Sequence, residues 1–175
     1  MPDGALTHWL FGKMPAHGDF VSRGIDPGVR DELDRWLTAE MGRGQAVWGG
    51  EFDQRYEAAP VWHFVDRRGA DEWSGGILCA STDRVGRRFP LMFASAAADC
   101  SGAVMASAGC LDLVGQAFAE GWDADRLAEA VLVPDSLPWH PEGPSWALVG
   151  EDGPVIEYAG RTPAGVIERM LEMAA

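Results

Sequence analysis

The sequence predicts an α/β fold in which helices cover a mainly antiparallel or mixed β-sheet. The first indication is a series of short apolar runs bounded by glycine, proline or charged residues, a pattern typical of buried strands. The second is that the longer segments carry apolar residues at helical spacing on one face. Such helices must bury that face, and a sheet offers the surface. The length of 175 residues suits one domain, and we predict a single domain over residues 1–175.

The first third of the chain predicts one strand, one loop and one long helix. An aromatic-rich run from Thr7 to Phe11 indicates the strand, and the glycines and proline of residues 12–19 indicate the loop. The dipeptide Asp26-Pro27 is the clearest helix start, because aspartate caps a first turn and proline gives up no hydrogen bond there. We expect this helix to end in the glycine-rich stretch 42–44 and the chain to be irregular over residues 48–56.

The middle of the chain predicts three consecutive antiparallel strands. Apolar runs at residues 61–65, 77–80 and 89–93 are each too short for a helix. The polar stretch 66–74 between the first two runs suits a hairpin loop. A tight, charged corner around Gly86 joins the second and third runs.

The last third predicts two helices, a loop, a hairpin and a closing helix. Residues 102–120 have helical composition, and Asp123 can cap a short helix after them. A proline-rich loop follows over residues 134–144, and two short strands over residues 146–158 suit a hairpin. The dipeptide Thr162-Pro163 should open the last helix. The first of these helices would pack through one apolar stripe made of Leu111, Val114 and Phe118.

Composition narrows the class of function. The chain has 27 acidic and 14 basic residues, a formal net charge of −13, which repels phosphate backbones and anionic membrane surfaces. We therefore expect no nucleic-acid partner and no membrane insertion, and no apolar stretch approaches the ~20 residues of a membrane span. The three cysteines show no C-x-x-C spacing, which fits a reducing compartment. Residues 1–4 do not begin a signal peptide, so we expect a cytoplasmic location.

No pattern of catalytic or metal-binding residues stands out. The four histidines are scattered without metal-ligand spacing, so neither a metal nor a cofactor is predicted. Gly12-Lys13 lacks the rest of a phosphate-binding loop, and no G-x-S-x-G elbow surrounds Ser81. We expect a protein that is not an enzyme. The alternative is a small hydrolase that uses Asp19 with an arginine-lined pocket.

The loop at residues 12–19 and the corner at residues 83–88 are the strongest candidates for a site. Three arginines within the six corner residues are unusual in a chain this acidic. Asp19, in a loop between two apolar runs, could pair with Arg84 or Arg87 and so pin the loop to the corner. Alternatively, the arginines contact a partner, since arginine is favoured at interfaces and at phosphate sites.

Tryptophan is the second kind of candidate contact residue, because the chain has eight tryptophans and only two tyrosines. Trp36 and Trp62 fall on a helix face and in a strand, and we expect them in the core. Trp48 and Trp139 lie in segments rich in glycine or proline, where core and interface positions are equally open. The candidate set of partner-contact residues is Asp19, Arg23, Arg84, Arg87, Arg88 and Trp48.

Three segments of the first 95 residues form a characteristic set. Residues 12–20 read G-K-x-P-x-x-G-D-F, residues 60–64 read P-V-W-H-F, and residues 81–91 read S-x-D-x-V-G-R-x-F-P-L. This set, in this order, resembles the TagF (ImpM) family of proteins associated with the bacterial type VI secretion system. The second segment usually reads P-V-W-R-F in that family, so His63 departs from its pattern.

The resemblance implies a three-layer α/β/α sandwich and a cytoplasmic accessory protein of the type VI secretion system. It implies post-translational regulation, usually repression, through binding to a secretion component such as a forkhead-associated (FHA) scaffold protein. The family offers no established catalytic residues. The other alternative is a reader of phosphorylated partner segments, which would use Asp19 and the arginines of the corner.

Overall fold

The computed structural model describes residues 7–174, so residues 1–4, on which the expectation about a signal peptide rests, lie outside the described part. The strands are β1 (His8–Gly12), β2 (Val21–Arg23), β3 (Trp62–Arg67), β4 (Trp73–Cys79), β5 (Leu91–Ala97), β6 (Ser145–Gly150) and β7 (Gly153–Ala159). The helices are α1 (Pro27–Trp48), α2 (Phe52–Glu57), α3 (Cys100–Glu120), α4 (Ala124–Glu129) and α5 (Val166–Glu172), with a 3-10 turn at Gly49–Glu51.

The seven strands form one sheet in the order β2-β1-β5-β4-β3-β6-β7, and every neighbouring pair is antiparallel. The three consecutive strands predicted in the middle of the chain are confirmed, because β4 pairs with both β3 and β5. The predicted C-terminal hairpin is confirmed as β6 and β7. The sequence does not predict β2, since three residues at the edge of a sheet carry too little apolar pattern.

Two layers of helices enclose this sheet, which confirms the predicted α/β sandwich. Helices α1, α2 and α5 cover one face and bury Trp62 and Trp146 of the sheet beneath them. Helices α3 and α4 cover the other face, where Leu10, Ile77 and Phe93 form the sheet side of the core. Each side of the sheet therefore has its own apolar core, as expected when both faces must be removed from water.

Helix α1 begins where the sequence predicts. Pro27 is its first residue, and the Oδ1 of Asp26 accepts the N–H of Gly28 at 2.8 Å. The aspartate cap satisfies one of the backbone donors that a first turn leaves free, and proline has no donor to satisfy.

The predicted end of α1 in the stretch 42–44 is wrong, because the helix continues to Trp48. Gly44 is a packing position rather than a stop. Helix α5 lies so close that a Cβ on Gly44 would be 2.9 Å from Cγ2 of Ile167. The predicted irregular segment 48–56 is also wrong, since it forms the 3-10 turn and most of α2.

Helix α3 packs on the sheet through small residues instead of the predicted stripe. Of that stripe only Val114 is buried, whereas Leu111 is exposed and Phe118 half-buried. The reason is the close approach of helix and strand, because a Cβ on Gly75 of β4 would lie 1.6 Å from the carbonyl oxygen of Ala103. A large side chain has no room in such a contact, so the helix buries mainly alanine, serine and glycine.

By length and composition α3 could also cross a membrane, contrary to the expectation that no stretch of the chain would be apolar enough. Half of its most apolar stretch is buried inside the protein, against β3, β4 and β5. This is the pattern of a core helix, and the high hydropathy follows from its burial.

Helix α5 begins three residues later than predicted. The dipeptide Thr162-Pro163 precedes a turn, and the helix starts at Val166 after Gly165, whose φ of 89° lies in the left-handed region. The N–H of Gly165 donates to Oε2 of Glu40 at 2.8 Å, and the Glu40 side chain is buried. The turn is therefore fixed by a carboxylate on α1, a long-range contact that no local pattern shows.

Candidate functional site

The N-terminal loop (residues 13–20) and the arginine corner (residues 81–89) lie against each other, as the sequence predicts. The N–H of Arg84 donates to the carbonyl oxygen of His17 at 2.7 Å. The Oγ of Ser81 donates to the carbonyl oxygen of Lys13 at 2.7 Å and is buried. Two segments nearly seventy residues apart in sequence are thus joined by backbone and side-chain hydrogen bonds.

The corner is a tight turn between β4 and β5. Thr82 and Arg88 form an isolated antiparallel bridge, and the N–H of Gly86 donates to the carbonyl oxygen of Asp83 at 3.0 Å. Gly86 has a φ of 87°, in the left-handed region that favours glycine. The glycine lets the chain reverse within a few residues, so the flanking arginines are held on a short, defined turn.

The carboxylate of Asp83 holds the site together. Its side chain has no exposed surface and accepts the N–H groups of Val85 and Arg87 at 3.1 and 3.0 Å. It also accepts Nε of Arg87 at 2.7 Å and lies 3.3 Å from Nζ of Lys13. One carboxylate thus shapes the turn, orients a corner arginine and binds the only lysine of the N-terminal loop.

These contacts decide the charge of Asp83. Burial by itself would raise its pKa, but the hydrogen bonds from the backbone and side chain of Arg87, from Lys13 and from the Val85 N–H outweigh it. They lower the pKa of the Asp83 carboxyl to about 2. The carboxylate is therefore ionised at neutral pH, and it neutralises part of the positive charge of the corner.

Two corner arginines hold the N-terminal loop through backbone carbonyl groups. The Nη2 of Arg84 donates to the carbonyl oxygen of Ala16, and Nη2 of Arg87 donates to that of Gly18 at 2.7 Å. These bonds use only part of each guanidinium, which carries five N–H donors. Among residues 7–174, Arg84 has no carboxylate within ion-pair distance.

The predicted ion pair between Asp19 and Arg84 or Arg87 is wrong. Asp19 is exposed, and its Oδ1 accepts the N–H of Phe20 at 2.8 Å. An ion pair does hold the loop to the corner, but its charges are reversed: Lys13 of the loop is the cation and Asp83 of the corner is the anion. Asp83 is the better anion at this place because its turn supplies two backbone N–H donors, whereas Asp19 accepts only that of Phe20.

An exposed surface of mixed character results, which we call the contact surface and define as Asp19, Phe20, Arg84, Val85 and Arg87. Val85 is 72% exposed at the tip of the corner and Phe20 is 48% exposed on the loop. Phe20 is nevertheless held in place, because its ring lies edge-on to that of Phe89 at 4.9 Å and under Nζ of Lys13 at 5.0 Å. Apolar and arginine side chains that are held in place before a partner binds are typical of interface anchors.

Three residues of the predicted set do not belong to this surface. Arg88 turns towards α2, where it pairs with Asp53 at 3.3 Å and Glu57 at 3.0 Å. Arg23 pairs with Asp125 of α4 at 2.6 Å. Arg88 therefore ties the corner to α2, and Arg23 ties β2 to α4.

Trp48 is the third predicted residue that lies outside the contact surface. The Arg55 guanidinium lies 3.9 Å from the centre of its ring. Its indole N–H donates to the carbonyl oxygen of Glu168 in α5. It belongs to the contact between α1 and α5. Trp139, for which the sequence left core and interface open, is buried and donates to Glu157 at 3.1 Å.

The sequence did not single out Lys13, Ser81 or Phe20 as site residues, and it placed Asp83 only within a charged corner. The pattern Asp83-x-x-Gly86 is a usable signal, because aspartate favours positions where it can accept the N–H two residues later in a turn. Lys13 and Ser81 carry no such local signal, since both act through contacts with the other segment.

Comparison with solved structures supports the fold. The chain is similar to the protein in the crystal structure of PA0076 from Pseudomonas aeruginosa PAO1, with a TM-score of 0.70 and 22% sequence identity. The match covers 94% of this chain and 93% of that chain. At this identity the likeness shows a shared fold. No curated protein sequence gives a significant match.

Comparison with protein families is more specific. Residues 10–131 match the family described as the TagF N-terminal domain, type VI secretion system-associated. This range includes the N-terminal loop from Lys13, the arginine corner, and the helices and strands that hold them together. It ends just after α4, so β6, β7 and α5 lie beyond it. The chain belongs to the TagF N-terminal domain family of type VI secretion system-associated proteins.

Proposed function

We propose that this protein is a non-enzymatic, cytoplasmic regulator of the type VI secretion system that represses the machine post-translationally. In this proposal it binds a secretion component, specifically an FHA-domain scaffold protein, through the contact surface. The observation that carries the proposal is that two sequence segments typical of the family, residues 12–20 and 81–91, meet to build this one surface.

The contact surface has the physical properties that binding requires. Its turn is fixed by the buried Asp83 carboxylate, and its loop is fixed by hydrogen bonds from Arg84 and Arg87. A surface that is ordered before binding loses little conformational entropy when a partner arrives. Arg84 brings a positive charge that no described carboxylate neutralises, on a chain whose net charge is −13. The proposal therefore assigns an acidic patch on the partner to this position.

The position of these groups on an exposed turn supports binding rather than catalysis. Over residues 7–174, the best-formed surface grooves are lined by residues other than Asp19 and the corner arginines. An active site places its acid, base or nucleophile in a concave, water-poor pocket. The Asp83 carboxylate, whose pKa is about 2, is fully engaged in holding the turn.

The guanidinium N–H groups of Arg84 that do not bond to Ala16 favour a second candidate function, the recognition of a phosphorylated segment of the partner. Guanidinium groups form paired hydrogen bonds with phosphate oxygens, and a phosphate carries more charge than a carboxylate. Titration with a phosphorylated peptide from the scaffold and with its unphosphorylated form separates the two functions. The reader hypothesis requires that Arg84→Ala weakens only the phosphorylated form, whereas equal weakening of both forms contradicts it.

We expect the variants Arg84→Ala and Val85→Asp each to weaken binding of the FHA-domain scaffold by at least about tenfold. The first removes the arginine that has no described ionic partner, and the second places a charge at the exposed tip of the corner. Isothermal titration calorimetry with the purified scaffold measures the effect.

Arg35→Ala is the matched control, because it removes an exposed arginine from α1, outside the contact surface. It should change the affinity by less than about twofold. Circular dichroism checks that all three variants are folded. If the wild-type protein does not bind the scaffold at micromolar concentration, the FHA partner is wrong, and equal affinities of wild type and variants would exclude this surface.

A further inference from the structure

A second candidate site shares no residue with the contact surface. It is a groove of about 330 Å³ lined by Leu111 in the middle of α3, by the start of β3, by the adjoining ends of β6 and β7, and by Met173 after α5. Its walls are apolar, and none of its lining residues carries an acidic, lysine or arginine side chain. The residues that matter for its chemistry are Val61, His63, Leu111, Val149, Val155 and Met173.

His63 is the one side chain of the groove with ring hydrogen-bonding groups, and it is only 4% exposed. Its Nδ1 lies 3.0 Å from Oγ of Ser107, which is fully buried in α3. The Nε2 has no hydrogen-bond partner within residues 7–174. Since His63 lines the groove and its Nδ1 faces Ser107, Nε2 is the ring nitrogen available to the groove.

The hydrogen bond of Ser107 fixes the tautomer of His63. The Ser107 hydroxyl donates to the carbonyl oxygen of Val104 at 2.7 Å, the shorter of its two contacts. A hydroxyl has one proton, so towards His63 its oxygen must accept, and Nδ1 carries the hydrogen. In the neutral ring Nε2 is then a bare acceptor at the floor of an apolar groove.

We propose that this groove binds the indole ring of a tryptophan presented by a partner chain, with the indole N–H donating to Nε2 of His63. The volume suits one large aromatic side chain, and the walls remove its apolar surface from water. Indole fits better than a phenol or an amide, because it has a donor and no acceptor. The oxygen of the other groups would be left without a partner among apolar walls.

The position of the groove allows a partner chain to reach it. Val155 lies on β7, the outer strand of the sheet, and is 61% exposed. A tryptophan can therefore enter from the sheet edge without displacing an element of the fold. The groove shares no residue with the contact surface, so a failure of either binding experiment does not affect the other proposal.

The test is a titration of the full chain with indole and with 1-methylindole, which has the same ring without the N–H donor. The protein is labelled with ¹⁵N-histidine, and the His63 signal is assigned by its absence from a variant. Indole should shift the Nε2 signal of His63 and bind about tenfold more tightly than 1-methylindole, the effect of one hydrogen bond of about 1.4 kcal/mol.

Two variants complete the experiment. His63→Asn keeps a donor for Ser107 but has no atom at the place of Nε2. The affinity of this variant for indole should therefore decrease to its affinity for 1-methylindole. Leu111→Gln changes an exposed wall residue of α3 and should weaken both compounds. Equal affinity of the two compounds for the wild type, no binding of either, or indole binding that survives His63→Asn would overturn the proposal.

Discussion

Replacement of Asp83 by alanine should lower the thermal unfolding midpoint by about 10 °C. The substitution removes the acceptor of four contacts at once and leaves the Lys13 ammonium, whose side chain is 9% exposed, without its anion. Breaking a buried ion pair by removing one partner is strongly destabilising, because the remaining charge stays away from water. The unpaired N–H groups of Val85 and Arg87 add to the loss.

Asp19→Ala is the matched control, because it removes an exposed carboxylate from the same part of the molecule. A surface change of this kind should shift the midpoint by less than about 2 °C. Differential scanning calorimetry of the two variants gives the comparison. Similar midpoints for Asp83→Ala and wild type would mean that the corner is not held by this carboxylate, and the argument for a rigid contact surface would fail.

The double variant Lys13→Met with Asp83→Ala separates the buried charge from the turn. It removes the ammonium together with the carboxylate, so part of the lost stability should return. The stability that the double variant does not recover measures the contribution of the hydrogen bonds from Val85 and Arg87 to Asp83.

The sequence predicts that the N-terminal loop and the arginine corner act together, but it assigns the wrong ion pair. Asp19 and Asp83 are both aspartates near arginines in sequence or in the expected fold. What separates them is the number of N–H donors around each carboxylate, which depends on turn geometry. Lys13, a single lysine after a glycine, gives no local sign that it points into the corner.

Helix boundaries show a similar division between local and long-range causes. The start of α1 is a local matter of a capping aspartate and a proline, and the sequence predicts it correctly. Gly44 does not end the helix, because it packs against Ile167 of α5, more than a hundred positions away; the helix ends instead at Gly49, whose φ is 49°. The sequence pattern also predicts the wrong buried face for α3, because it favours the large apolar residues, whereas the close approach to Gly75 requires small ones.

Acidification should destabilise the protein through His63 between about pH 6.5 and pH 4. Burial lowers the pKa of His63 from its ordinary value of 6.5 to about 4. In this window the unfolded chain binds a proton at His63 while the folded protein does not, so falling pH favours the unfolded state. The stabilising contribution is complete above pH 6.5, and about 3 kcal/mol of it is lost by pH 4.

The measurement is urea unfolding of wild type and His63→Asn at several pH values from 7 to 4. Other groups titrate in both proteins, so the difference between the two free energies of unfolding isolates the histidine. That difference should change by about 3 kcal/mol over the range, in the direction that costs the wild type stability at low pH. His140→Asn makes the same substitution at an exposed loop position and should follow the wild-type curve. A constant difference between wild type and His63→Asn would show that the imidazole takes up its proton without unfolding, which requires more water at the floor of the groove than its burial implies.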